Sequence, residues 1–248
     1  KNQFDNTFGK FYRIEQALLV QKGDLAKTPI LTSENLLKML DAYEALTTMV
    51  VSYTHKNGTV ETFSLSDICF KPIVGKGCLV NSPLNYFQES RAKITTPTNP
   101  SLSNSIYGYL KYCFITGQFS TFCMSSIGTP VDTQNVLGGY EGTDYTDATA
   151  LVFTFLLTNE GDDDANYRQR AWETAYVNYW KNTNLKDTFT IGFSTERSIQ
   201  DELARESNGD IPTIVISYIV MFVYVAFALG SLKQPLLLNS KIALALGG

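Results

Sequence analysis

ATALVFTFLLTNEGDDDANYRQRAWETAYVNYWKNTNLKDTFTIGFS, residues 148–194, holds two strands and the helix between them. Residues 148–158 form a nearly continuous apolar run, the pattern of a strand buried on both faces. Asp162, Asp163 and Asp164 stand where a helix dipole favours carboxylates. Tyr167, Ala171, Trp172, Ala175, Tyr176 and Tyr179 then recur at three- and four-residue spacing, one face of a helix. The period returns to two over 188–194, where Phe189, Ile191 and Phe193 share a side.

Toward the N-terminus the same grammar repeats. Residues 11–20 place Tyr12, Ile14, Leu18 and Val20 on one face at period two, which predicts a half-buried strand. Ser33 is positioned to cap a helix in which Leu36, Leu40, Tyr43, Leu46 and Val50 line one face. Asn57-Gly58, between VVSYT and TVETF, predicts a hairpin. Two strand–helix units plus a hairpin predict an α+β sheet with helices on one side, of the split β-α-β ferredoxin-like type. Residues 66–147 depart from this plan and read as an insertion. TTPTNPSLSNS, residues 95–105, has the composition of a linker, because its prolines and small polar residues cannot bury a core face.

Toward the C-terminus, Thr195 or Ser194 can cap a short helix over 196–207, with Ile199 and Leu203 facing inward and a stop at Asn208-Gly209. IPTIVISYIVMFVYVAFALGSL, residues 211–232, follows without a charge. At 1.5 Å per residue it makes a helix of about 33 Å, enough to cross a bilayer. Acidic residues precede it, whereas Lys233 and Lys241 follow, so residues 1–210 are expected on the non-cytoplasmic side. Residues 233–248 are expected to form a cytoplasmic turn and the start of a second membrane helix. The chain therefore reads as a fragment of a polytopic protein whose targeting signal lies outside it.

Four cysteines, Cys69, Cys78, Cys113 and Cys123, lie in the irregular middle third. Their spacing suits two local bridges, 69 with 78 and 113 with 123, in an oxidising compartment, rather than the tight knuckles of a zinc site. Asn57-Gly58-Thr59 is a glycosylation sequon on the predicted hairpin tip. A net charge of −4 without a basic cluster argues against nucleic acid as a partner. No nucleotide, metalloprotease or nucleophile-elbow motif is present, and the single histidine, His55, sits beside the turn, where a solvated side chain is the expected role. No enzyme activity, metal or cofactor is expected.

Several separated stretches carry a resemblance: SLSDICFKP (64–72), NSPLNYFQ (81–88), VLGGYEGTDYTDATALVFTF (136–155), RAWE (170–173), FSTERSIQDELARES (193–207) and DIPTIVISYIVMFVYVAFALG (210–230). In order and spacing they resemble the Niemann-Pick type C membrane transporters, and within them a fungal member. The resemblance implies that residues 1–210 form the middle lumenal domain, with the ferredoxin-like plan of resistance-nodulation-division permeases. It makes residues 211–232 the first helix of a sterol-sensing domain. It further implies a multi-pass protein of the vacuolar or lysosomal membrane that passes sterol, ergosterol or cholesterol, into the bilayer lipid. A small soluble lumenal sterol carrier would dock on two loops. The first, residues 21–31, carries Lys22, Asp24, Leu25, Lys27 and Pro29, and the second, residues 91–105, carries Thr96, Pro97, Asn99, Pro100 and Leu102. Relative to animal members the first loop is shorter and the second lacks adjacent aromatics at its tip. The same resemblance admits a second role, a sterol-regulated receptor of the Patched-like class.

Overall fold

The computed structural model describes residues 7, 10–23, 28–96, 105–117, 119–161 and 164–229. In chain order the elements are β1 (Arg13–Gln21), α1 (Ser33–Thr48), β2 (Val50–Thr54), β3 (Val60–Ser64), α2 (Leu65–Ile68), β4 (Val80–Asn81), α3 (Arg91–Thr95) and α4 (Ile106–Thr116). They continue with α5 (Thr133–Val136), β5 (Leu137–Gly138), β6 (Ala150–Leu157), α6 (Tyr167–Asn182), β7 (Phe189–Ser194) and α7 (Glu196–Leu229). The chain divides into two compact units, residues 1–197 and 198–248.

The first unit is built on a sheet of order β4-β6-β1-β7, with β5 also pairing β6, and every pairing is antiparallel. β6 is central, and its apolar run, broken only by Thr154, is buried along most of its length, as that composition requires. α6 lays Trp172, Tyr176 and Trp180 on the sheet, where Trp172 meets Phe155 at 5.8 Å and Trp180 meets Phe153 at 6.2 Å between ring centroids. α1 buries Leu36, Met39, Leu40, Ala42 and Leu46. Its cap is Thr32, whose side chain accepts from the Asn35 N–H, not Ser33, and it ends at Thr48, so Val50 belongs to β2 and is exposed. The predicted hairpin is β2–β3, and Gly58 takes the positive φ of +85° that its turn needs.

β1 runs where the alternation places it, but with the opposite face inward. Arg13, Glu15, Ala17 and Leu19 are buried, while Ile14 and Leu18 are 37% and 41% exposed. Apolar residues occupy both faces of this strand, so hydrophobicity alone does not select one. The selection comes from α6, whose buried Glu173 accepts from Arg13 Nε at 2.5 Å and Nη2 at 3.0 Å. A bidentate partner is what allows a buried guanidinium.

The middle third supplies β4 and β5, which extend the sheet beyond β6, and a set of short helices. Both bridges form, Cys69–Cys78 with Cα atoms 5.5 Å apart and Cys113–Cys123 with 5.4 Å. Loops this short contribute about 2–3 kcal/mol each on the chain-entropy model. That helps hold a segment with little regular structure.

α7 contradicts the expected break at Asn208-Gly209. Gly209 does not adopt the positive φ of a helix-ending glycine, and the helix continues through Pro212. Leu203, expected to face inward, is 61% exposed. Residues Arg205–Val225 of this helix are long and apolar enough to cross a membrane. The end of the apolar run, residues 230–232, and residues 233–248 lie outside the described residues.

Candidate functional site

The two loops that the resemblance singles out return to one short segment of the fold. The first leaves β1 at Gln21, and the Lys22 N–H donates to the Thr188 carbonyl at 3.1 Å. It returns at Ile30, which is fully buried and donates its N–H to the Ala148 carbonyl at 2.8 Å. Asn35 Nδ2 locks that return by donating to the Ile30 carbonyl at 2.9 Å, just where Thr32 starts α1. A buried isoleucine and a capped helix fix the point at which the chain turns back into the fold.

The second loop leaves α3, whose Ile94 is buried and whose Arg91 reaches Asp41 and Glu44 on α1. It returns into α4, where Ser105 accepts from the Gly108 N–H at 3.1 Å as N-cap. One residue into α4, Tyr107 donates its hydroxyl to Thr146 Oγ1 at 3.1 Å. The returns of both loops are thus fixed to the turn at Tyr145–Asp147 and to Ala148, immediately before β6. In that turn Asp144 accepts from the Thr146 hydroxyl and N–H, which holds its carboxyl below the usual range.

Of the residues in these loops, Lys22, Pro29 and Thr96 are exposed at the bases. Asp24, Leu25, Lys27, Pro97, Asn99, Pro100 and Leu102 lie outside the described residues. Asn57 is exposed on the β2–β3 turn, with Oδ1 accepting from the Thr59 N–H and hydroxyl at 3.0 and 2.7 Å. His55 is not simply solvated, since Nε2 lies 3.1 Å from Glu61 Oε2 and its ring packs on Tyr53 and Tyr167. Glu61 also accepts from the Tyr167 hydroxyl at 2.8 Å, which with His55 and Arg168 lowers its pKa.

No cluster of three potential metal ligands occurs among the described residues. A depression of about 490 Å³ on the outer sheet face, lined by Gln16, Leu18, Asn135, Val152 and Gly192 among others, contains no ionisable side chain. The buried charges lie on the opposite face, where Glu15 is fully buried between Arg13 and Glu173. Neither Glu15 oxygen meets an N–H or O–H donor; the group it faces is the Glu173 carboxylate. Burial first, then Glu173, pushes its pKa up to about 10. Sequence reading missed this cluster because Arg13 and Glu15 alternate with apolar residues and so read as the solvent face.

A family model described as NPC1, middle luminal domain, matches residues 1–197, the same residues as the first compact unit. The pig NPC intracellular cholesterol transporter 1 is 35% identical over 278 aligned residues, covering 100% of this chain and 21% of the relative. The human NPC1-like intracellular cholesterol transporter 1 is 31% identical over 98% of this chain and 20% of its own length. The fruit fly NPC intracellular cholesterol transporter 1 homolog 1b is 31% identical over 100% of this chain and 21% of its own. The chain spans about a fifth of the length of these relatives.

Proposed function

The chain belongs to the NPC1 family through its middle luminal domain, and from that premise we propose that it is the carrier-docking portion of a multi-pass sterol transporter. Residues 1–210 stand in the lumen of a vacuole or lysosome, and α7 carries the first membrane helix of a sterol-sensing domain. The strand order supports a ferredoxin-like plan of the permease type: two strand–helix units contribute β1 and β6 at the centre, flanked by β7 and by the short strands of the insertion.

The observation that carries the docking role is the common anchorage of the two loops on Tyr145–Ala148. Two segments far apart in sequence return to one turn of the fold, an arrangement suited to a binding surface mounted on a scaffold. A small soluble sterol carrier is the partner, and it must leave after unloading, so the contact is of micromolar strength, about 8 kcal/mol. The sterol itself passes from carrier toward the bilayer without covalent chemistry. That fits relatives whose names are those of transporters.

Replacing residues 97–102 with a Gly-Ser linker is expected to weaken carrier binding several-fold while leaving the melting temperature unchanged, because Ile94 and the Ser105 cap retain their partners. Shortening residues 22–28 should act in the same direction. Titration calorimetry with the sterol-loaded carrier reads both. Unchanged affinity in both variants would place the docking surface elsewhere.

A further inference from the structure

The chain approaches the second loop through a backbone conformation that side chains resist. Gln88 and Glu89, at φ +52° and +53°, are the only non-glycine residues with positive φ among those described. Left-handed backbone crowds a Cβ, so two such residues in succession persist only where their surroundings hold them. The pair closes a 3-10 turn, Pro83–Phe87, whose residues are all buried. The Glu89 N–H donates to the Leu84 carbonyl and the Ser90 N–H to the Phe87 carbonyl, both at 3.1 Å. Ser90 is the N-cap position of α3, so the strained pair decides how the chain enters that helix and, through it, the second loop.

The side chains of the pair supply the hold. Gln88 Nε2 donates to two carbonyls, that of Phe122 at 2.9 Å and that of Met124 at 3.1 Å. The Phe122 carbonyl has a second partner, the Tyr109 hydroxyl of α4 at 2.7 Å. One carbonyl therefore receives both the segment that leads into the second loop and the helix that returns from it, and the adjacent Cys123 is bridged to Cys113 of α4. Glu89 Oε1 accepts from Asn85 Nδ2 at 2.6 Å. Burial raises the Glu89 pKa even though Ser126, Asn85 and Lys93 favour the charge, so its position calls for an acceptor rather than for a charge. Arg91 and the buried Ile94 tie α3 down further along, where Arg91 reaches Asp41 and Glu44 of α1, but neither sets the direction from which the chain arrives.

We propose that Gln88 and Glu89 are positioning residues for the second loop: a strained turn, clamped by the Gln88 amide on the Phe122 and Met124 carbonyls, that sets the direction in which the chain enters it. The consequence for binding rests on the docking role proposed above, and the experiment separates the two. The detergent-solubilised whole chain carries nitroxide labels at Thr95→Cys, the end of α3, and at Asn178→Cys on α6, and the distance between them is measured by pulsed electron resonance at neutral pH. Gln88→Glu keeps the size of the side chain but has no N–H to donate, so it should broaden the distance distribution by several ångström, as should Gln88→Ala. Glu89→Gln keeps the acceptor and should preserve the parent distribution, whereas Glu89→Ala should broaden it and gives the reading if the Gln88 variants do not fold. Affinity for a purified, cholesterol-loaded soluble carrier should fall several-fold in the variants that broaden and remain unchanged in Glu89→Gln. A parent-like distribution in Gln88→Glu would mean that the side chain merely fills space and that Arg91 and Ile94 suffice, which would overturn the proposal. Broadened distances with unchanged affinity, in a parent that binds the carrier, would overturn the positioning of a binding loop. A parent that does not bind the carrier would sink the docking reading instead, and the distances alone would then judge the turn.

Discussion

Arg13→Ala is expected to destabilise the first compact unit by about 3–5 kcal/mol, the cost of leaving a buried charge without its partner. The Arg13 and Glu173 side chains are 8% and 1% exposed, so water cannot replace the lost guanidinium. Burial by itself would lower the arginine's pKa, but the hydrogen bond and charge of Glu173 outweigh it and the net direction is upward. Changing both partners, Arg13→Met with Glu173→Leu, should cost much less than either single change, since no orphaned charge remains and Glu15 loses the carboxylate it faces. Urea unfolding of the detergent-solubilised chain measures the cycle. If the double variant lost as much as the sum of the singles, the pair would not be the unit that fixes the inward face of β1.

Glu15→Gln is expected to remove a pH dependence that favours acid. The folded state holds a proton on Glu15 up to about pH 10, whereas the unfolded chain releases it near 4.5. Folding therefore takes up a proton between those values. The contribution is fully present below the unfolded pKa and is lost as pH rises toward the folded one, by at most about 1.4 kcal/mol per pH unit. Stability of the unmodified chain should fall from pH 5 to pH 8. Glutamine keeps the shape of the protonated acid and can donate to Glu173 at every pH, so its curve should be flatter and lie above at pH 8. Melting temperatures across that range decide the matter; parallel curves would mean that Glu15 titrates alike folded and unfolded. The charged groups acting on Glu15 are Arg13, Glu173 and Glu196, and Tyr176 lies close enough to feel it.

Periodicity was enough to place β1, β6, β7, α1 and α6, because each buries a continuous face and only one period suits each. Asn57-Gly58 located the hairpin, and cysteine spacing matched the two bridges, since both are local rules. What local rules could not decide was which face of β1 turns inward. That depends on Glu173, 160 residues away from Arg13, arriving on α6 with a bidentate geometry. Asn208-Gly209 misled for a related reason: the pair permits a helix end but does not impose one, and Gly209 stays helical. The second loop was legible as the linker composition of residues 95–105, whereas the first was implied only by the family resemblance, and the return of both to Tyr145–Ala148 emerges only when the chain is folded.

The most direct test of the central claim is sterol handover. Vesicles bearing the full-length protein are mixed with a soluble carrier loaded with fluorescent sterol, and arrival of sterol in the bilayer is followed by energy transfer to a lipid acceptor. Transfer should be accelerated by the protein and fall back toward the protein-free rate when residues 22–28 are shortened and residues 97–102 replaced together. Undiminished transfer by that doubly altered protein, with its melting temperature intact, would contradict a docking role for these loops.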